Sequence, residues 1–169
     1  KNFPGFKVAQ KLTKMGLRGS PTGELVFDNC RVPVENLVGE EDHGVAITMS
    51  GLDIERSYLS FFCLGMAERC LELSIDYART RNQFGRAIGE FQMVQGMIAD
   101  MYTSIEALRS FVYQVAGELN ELEHGAGGRG EVHKRTAAVV LLAGQTVMRC
   151  ADAGVQIHGG SGFIWETEI

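Results

Sequence analysis

The segment from about Glu90 to Glu123 constrains the fold of this chain of 169 residues more than any other. Its large apolar side chains recur alternately every three and every four positions, a spacing that places them on one stripe of an α-helix. A stripe of this length is typical of a helix that packs into a bundle. The apolar positions are Phe91, Val94, Ile98, Met101, Ile105, Leu108, Val112, Val115, Leu119 and Leu122.

Two other segments predict helices beside it, one from Asp42 to about Thr80 and one from about Glu131 to Ala153. The latter contains "TAAVVLLAGQTVMRCADA", which is apolar almost all round and therefore predicts a helix inside a bundle. The preceding "HGAGGRG" predicts a flexible loop. Residues 1–40 differ, because "FKVAQKL" and "ELVFDNCRVP" read as short strands around a turn-rich "GLRGSPTG". We expect a mainly α fold, with a boundary between residues 40 and 41.

Charge and cysteine usage narrow the classes of partner. The net charge of −5 and the isoelectric point near 5.4 argue against nucleic acid as the main partner. No apolar run free of charges reaches the length of about 20 residues that spans a bilayer, so we expect no membrane partner. The four cysteines form no CxxC pair, which favours a reduced compartment and no metal site.

Glu55 occupies an unexpected place in the first predicted helix. Helical spacing puts it on an apolar stripe, whereas Asp53 projects to the other side and Arg56 lies at the border. The stripe consists of Thr48, Leu52, Leu59, Phe62 and Met66. Burial in an apolar pocket raises the pKa of a carboxylate and makes it a usable proton acceptor. Alternatively, Glu55 is a structural partner of Arg56 or of another basic group inside the bundle.

Two further motifs admit a ligand or a purely structural role. In "ARTRNQFGRAIGEFQ", Arg81 has the chemistry to bind a phosphate beside Phe84 and Gln92, or Arg79 and Arg81 simply complement the end of a helix. In "VQIHGGSGF", the bare backbone of Gly159 and Gly160 lets a phosphate approach, or the glycines only end the preceding helix. The histidines are isolated along the sequence, and each is expected at the surface or in a loop: His43, His124, His133 and His158.

Four stretches in this order resemble the acyl-CoA dehydrogenase family, nearest to its isovaleryl-CoA dehydrogenase-like members. They are "MGLRGSPTGELVFDNCRVPVENLVG", "MSGLDIER", "RNQFGRAIGEFQMVQGMIADM" and "QIHGGSGF". The resemblance implies that residues 1–40 end the middle β domain and that residues 41–169 form most of the C-terminal helical bundle. It covers less than half of a typical member, so we expect the chain to be a piece of a longer protein.

The resemblance also implies an activity. A glutamate removes the α-proton of an acyl-CoA thioester while the β-hydrogen leaves as hydride to N5 of FAD, which yields the 2-enoyl-CoA. Many members carry this glutamate beyond the glycine turn. The isovaleryl-CoA and long-chain members place it in the helix that here contains "GLDIER", and the matching position is Glu55.

The family's binding residues transfer position by position. Asp53 and Arg56 are expected to contact the CoA portion of the substrate. The FAD of a neighbouring subunit is expected to contact Arg81, Phe84 and Gln92, and its adenylate and pyrophosphate end to lie against Gln156, Ile157, His158, Gly159 and Gly160. Such shared sites imply a homo-oligomer, usually a tetramer, and the implied electron acceptor is an electron-transfer flavoprotein. The implied compartment is the mitochondrial matrix in a eukaryote and the cytoplasm in a bacterium.

Some positions depart from the isovaleryl-type pattern. Such members usually have a pocket tyrosine where this chain has Ala46, and small residues where it has Phe61 and Phe62. The identity of the acyl group therefore stays open. An acyl-CoA oxidase or a related monooxygenase on the same scaffold is an alternative, and a non-catalytic helical interaction module is another.

Overall fold

The computed structural model describes residues 2–120 and 130–169. The chain divides into two compact units, Lys1–Gly44 and Val45–Ile169. Its helices are α1 (Gly44–Thr80), α2 (Gln92–Asn120) and α3 (Glu131–His158). Its strands are β1 (Phe6–Leu12), β2 (Thr22–Phe27), β3 (Asn82–Gln83) and β4 (Arg86–Ala87). The mainly α fold expected from the sequence is confirmed.

The first unit is built on one antiparallel pair. Phe6 of β1 lies opposite Phe27 of β2, and their ring centroids are 5.2 Å apart. The second strand is shorter than the sequence predicts. It ends at Phe27, and Asn29 follows with a φ of 47°, a left-handed conformation that does not continue a strand.

The second unit has its core among the three long helices. The predicted stripe of α2 is confirmed at its centre, where the side chains with almost no solvent exposure are Met101, Ile105, Leu108, Val112 and Val115. Val139 and Ala143 of α3 and Leu64 of α1 complete the apolar contacts. Leu122 and the predicted glycine loop, apart from Gly130, lie outside the described residues.

The sequence predicts α3 inside the bundle, and only part of its surface is buried there. The helix continues to His158, and only one of its faces lies against the rest of the unit, while Leu141 on another face is 63% exposed. By length and composition alone, the helix at Glu131–Phe163 is long and apolar enough to cross a membrane. The same residues supply Val139, Ala143 and Cys150 to the core, as expected of a bundle helix.

The face of α1 that is buried is also not the one that apolar spacing predicts. Asp53, Ser57 and Ser60 are buried, whereas Leu59 and Phe62 are 43% and 53% exposed. Local hydrogen bonds make this possible: the hydroxyl of Ser60, for example, donates to the carbonyl of Arg56 at 2.7 Å. A buried polar side chain costs little free energy once its donors and acceptors are paired.

Candidate functional site

Arg81 and the glycine turn after α3 are far apart in the sequence but line the same cavity. This cavity, of about 380 Å³, is bounded by Tyr77, Arg81, Gln83, Ile88, Ile157, His158, Gly159, Gly160 and Ser161. Among the described residues, the guanidinium of Arg81 has no ion-pair partner. A guanidinium beside glycine backbone that leaves open space is suited to binding a phosphate group.

The two glycines of the turn have different reasons to be glycine. Gly159 adopts a φ of 58°, which strains any other residue, and its N–H caps the end of α3. Gly160 has an ordinary φ, and a Cβ built on it meets no atom within 4 Å. The fold itself therefore does not require glycine at position 160, so the open space there is available to a ligand.

His158 is buried, so its expected place at the surface or in an exposed loop is wrong. Its Nδ1 lies 2.8 Å from the carbonyl oxygen of Gly154, and its ring stacks on Tyr77 with centroids 4.3 Å apart. Because a carbonyl only accepts, Nδ1 carries the proton, which leaves Nε2 of the neutral ring as an acceptor. Tyr77 was not predicted from the sequence, although it lies one helical turn before Arg81.

The remaining cofactor candidates do not line this cavity: Phe84, Gln92 and Gln156. Phe84 forms the tip of the β3–β4 hairpin, is 91% exposed, and has a φ of 54°. A bulky residue rarely adopts this conformation, which costs on the order of 1–2 kcal/mol. The hairpin thus presents an aromatic ring to the outside at an energetic cost.

Glu55 lies on the exposed face of α1, so its expected burial among apolar residues is not found within this chain. Among the described residues it forms no ion pair. Arg56 instead pairs with Asp53, whose Oδ1 lies 2.9 Å from Nη1 of the guanidinium. The alternative of a Glu55–Arg56 pair is therefore wrong.

Asp53 is the centre of a polar cluster that joins α1 to α3. Its carboxylate is almost completely buried, and its Oδ1 lies 2.8 Å from Nδ1 of His133 and 3.2 Å from Oγ1 of Thr136. His133 is isolated along the sequence but not in the structure, where it contacts Asp53. No sequence signal identified this contact, because His133 lies in a different predicted helix from Asp53.

Several known proteins are similar to this chain. The family model described as "Acyl-CoA dehydrogenase, C-terminal domain" matches residues 42–169. The mitochondrial isovaleryl-CoA dehydrogenase of Oryza sativa subsp. japonica is 49% identical over 98% of the chain. The mitochondrial 2-methylacyl-CoA dehydrogenase of Solanum tuberosum is 46% identical over 98% of the chain. The chain spans 39% of the length of each of these relatives.

Solved structures agree with the sequence relatives. Butyryl-CoA dehydrogenase from Megasphaera elsdenii superposes with a TM-score of 0.89 at 36% identity, covering 98% of this chain and 42% of that one. The prolyl acyl carrier protein oxidase AnaB gives a TM-score of 0.89 at 31% identity, covering 99% and 43%. PigA with FAD and proline gives 0.87 at 28% identity, covering 98% and 42%. The chain belongs to the acyl-CoA dehydrogenase family.

Proposed function

We propose that this chain is part of a FAD-dependent acyl-CoA dehydrogenase. The observation that carries the proposal is the cavity in which Arg81 meets the turn at Gly159 and Gly160. It combines a cation that has no ion-pair partner among the described residues with bare glycine backbone and open space, which are features that suit the phosphates of a dinucleotide. PigA, one of the similar structures, was solved with FAD and proline.

The residues of this cavity have distinct roles in the proposal. Arg81 binds the cofactor's pyrophosphate through charge-assisted hydrogen bonds, and Gly160 allows that group to lie against the backbone. The stacked rings of Tyr77 and His158 hold the turn in place. FAD supplies the hydride acceptor for the reaction.

The cavity and Glu55 cannot serve the same cofactor within one chain. They lie near opposite ends of α1, and the 25 residues from Glu55 to Thr80 span roughly 37 Å at 1.5 Å per residue. This separation exceeds the reach of one dinucleotide. We infer a homo-oligomer, a tetramer as in the family, in which the cavity and Phe84 contact the FAD of a neighbouring subunit.

On the substrate, Glu55 removes the α-proton and Arg56 binds the phosphates of CoA. Asp53 is buried, so it acts through Arg56 rather than by touching the substrate. Electrons then pass to an electron-transfer flavoprotein. In a eukaryote we place the enzyme in the mitochondrial matrix, in line with the names of its plant relatives, and in a bacterium in the cytoplasm.

Cofactor binding tests the proposal through two matched pairs of variants in the holoenzyme. Arg81→Ala should weaken FAD retention by about 1.5–3 kcal/mol, which is more than tenfold in affinity, whereas Arg79→Ala, two residues earlier in the last turn of α1, should not. Gly160→Ala should also weaken retention, whereas Gly144→Ala, which likewise adds a Cβ in open space, should not. Titration of the apoenzyme with FAD measures both. Equal affinities within each pair would refute the proposed site.

An acyl oxidase is the second candidate, because the structurally similar AnaB is a prolyl acyl carrier protein oxidase. The two activities differ in what reoxidises the flavin. Mixing the substrate-reduced enzyme with oxygen or with an electron-transfer flavoprotein separates them: fast oxidation by oxygen alone would identify an oxidase. If acyl-CoA never reduces the flavin, a non-catalytic role becomes the better account.

A further inference from the structure

The buried carboxylate of Asp53 receives donors from two helices, and we propose that His133 and Thr136 are positioning residues of the CoA site. In this inference, α3 fixes Asp53, and Asp53 in turn orients the guanidinium of Arg56 toward the anionic part of the substrate. The inference rests on the proposed role of Arg56 in CoA binding. His133 and Thr136 do not themselves touch the substrate.

The hydrogen-bond donors around Asp53 contact one of its two carboxylate oxygens. Nη1 of Arg56 at 2.9 Å, Nδ1 of His133 at 2.8 Å and Oγ1 of Thr136 at 3.2 Å all lie on the same oxygen, Oδ1. The other oxygen, Oδ2, is buried and has no hydrogen-bond partner among the described residues. These contacts therefore fix the position of Oδ1, which is the oxygen that accepts the hydrogen bond from Arg56.

Arg56 remains free to bind a ligand. Its side chain is 28% exposed, and among the described residues its guanidinium makes hydrogen-bond contacts only through Nη1, with Asp53 and with His133. A guanidinium has five N–H donors in a fixed fork, so one tethered nitrogen sets the direction in which the others point. A tether of this kind reduces the rotamer entropy that Arg56 loses when it binds an anion.

His133 and Thr136 are well suited to hold the carboxylate. They are one turn apart on α3, and Thr136 is fully buried. Since Oδ1 only accepts, Nδ1 of His133 donates to it, as a histidine oriented by a carboxylate does. Nη1 of Arg56 is 3.4 Å from the same Nδ1, because both nitrogens donate to Oδ1 of Asp53. Without His133, the carboxylate of Asp53 is held less firmly and therefore orients Arg56 less well.

A double-mutant cycle in the holoenzyme tests the inference. We expect His133→Leu to raise KM for acyl-CoA about fivefold or more with kcat within twofold, and His133→Gln, which keeps a donor, to restore most of the loss. In an Arg56→Gln background, His133→Leu should change KM less than twofold further. Lys134→Gln, on the adjacent residue outside the cluster, is the matched control. Thr136→Val repeats the test should His133→Leu prevent folding.

The outcomes separate this inference from the proposed function. If Arg56→Gln leaves KM unchanged, Arg56 does not bind CoA, and both claims fall. If Arg56→Gln raises KM but the changes at His133 and Thr136 do not, only the positioning role is overturned. It is overturned as well if the variants lower the melting temperature and kcat at an unchanged KM, or raise KM by the same factor in both backgrounds.

Discussion

At the scale of single residues, the two neighbouring acidic side chains of α1 have opposite environments. Asp53 is buried and held by donors from Arg56 and His133, whereas Glu55 is exposed and unpaired among the described residues. Loss of one partner of a buried charge pair costs about 3–5 kcal/mol, but an exposed carboxylate is replaced at almost no cost in stability. Asp53 thus has a structural role between α1 and α3, and Glu55 is free for chemistry.

Phe61 and Phe62 are also predicted to have different roles, one in stability and the other in the acyl pocket. Phe62 is exposed on the face of α1 that carries Glu55, whereas Phe61 is half-buried and packs edge-on against Tyr113 at 5.2 Å. Phe62→Ala should therefore shift kcat/KM toward longer or bulkier acyl groups, by roughly 1–3 kcal/mol per methylene accommodated. Phe61→Ala should instead lower the melting temperature. A substrate panel and a thermal melt measure both, and an unchanged acyl profile for Phe62→Ala would exclude it from the pocket.

Cys150 is predicted to be the least reactive thiol of the chain. Burial raises the pKa of Cys150 from 9.0 to about 11, so its thiolate fraction at pH 8 falls about 100-fold. Since the folded pKa lies above the unfolded one, the stability that the neutral thiol contributes is present below pH 9 and is lost between pH 9 and 11. Alkylation followed by mass spectrometry should label Cys150 last at pH 8. Labelling as fast as that of Cys30 would contradict its burial.

At the scale of elements, the turn after α3 depends on close backbone packing. A Cβ on Gly162 would lie 2.7 Å from the carbonyl oxygen of Val155 and 3.1 Å from Cβ of His158. Backbone cannot move aside as a flexible side chain does. Gly162 therefore lets the 3-10 turn Gly159–Phe163 fold back against α3 beside the cavity.

Gly162→Ala is accordingly predicted to destabilise the protein by about 1–3 kcal/mol, the usual cost of overpacking. FAD retention should fall with it, because the turn lines the cofactor cavity. Thermal melts with Gly144→Ala as the control measure the effect. If Gly162→Ala had the same melting temperature as the wild type, the turn would not be packed as in the structure.

The helices could be predicted because apolar residues spaced alternately by three and four positions, as in residues 90–123, match the period of an α-helix and few other structures. Spacing also placed Glu55 and Asp53 on different faces of α1. It did not reveal which face is buried, since that depends on His133 and Thr136, which α3 supplies as hydrogen-bond donors. The convergence of Arg81 with Gly159 and Gly160 likewise depends on where α1 and α3 end in space, and resemblance rather than spacing grouped these residues.

At the scale of the whole molecule, the proposed active site is shared between subunits. Co-assembly of Glu55→Gln chains with Arg81→Ala chains tests this. In mixed oligomers, one site of each hybrid pair would combine an intact Glu55 from one chain with an intact Arg81 from the other. Random pairing should then restore about a quarter of the wild-type activity. Hybrids as inactive as either parent would show that both residues serve a single site within one chain.

The most direct test of the central claim is the rate at which acyl-CoA reduces the flavin of Glu55→Gln. Anaerobic stopped-flow mixing and a thermal melt are performed on the same preparation, with Asp76→Asn on the same helix as the control. We expect Glu55→Gln to bind FAD and acyl-CoA and to melt at the temperature of the wild type, because Glu55 is exposed. Its flavin should be reduced at least ~10²-fold more slowly than in the wild type. Near-normal flavin reduction in Glu55→Gln would contradict the central claim.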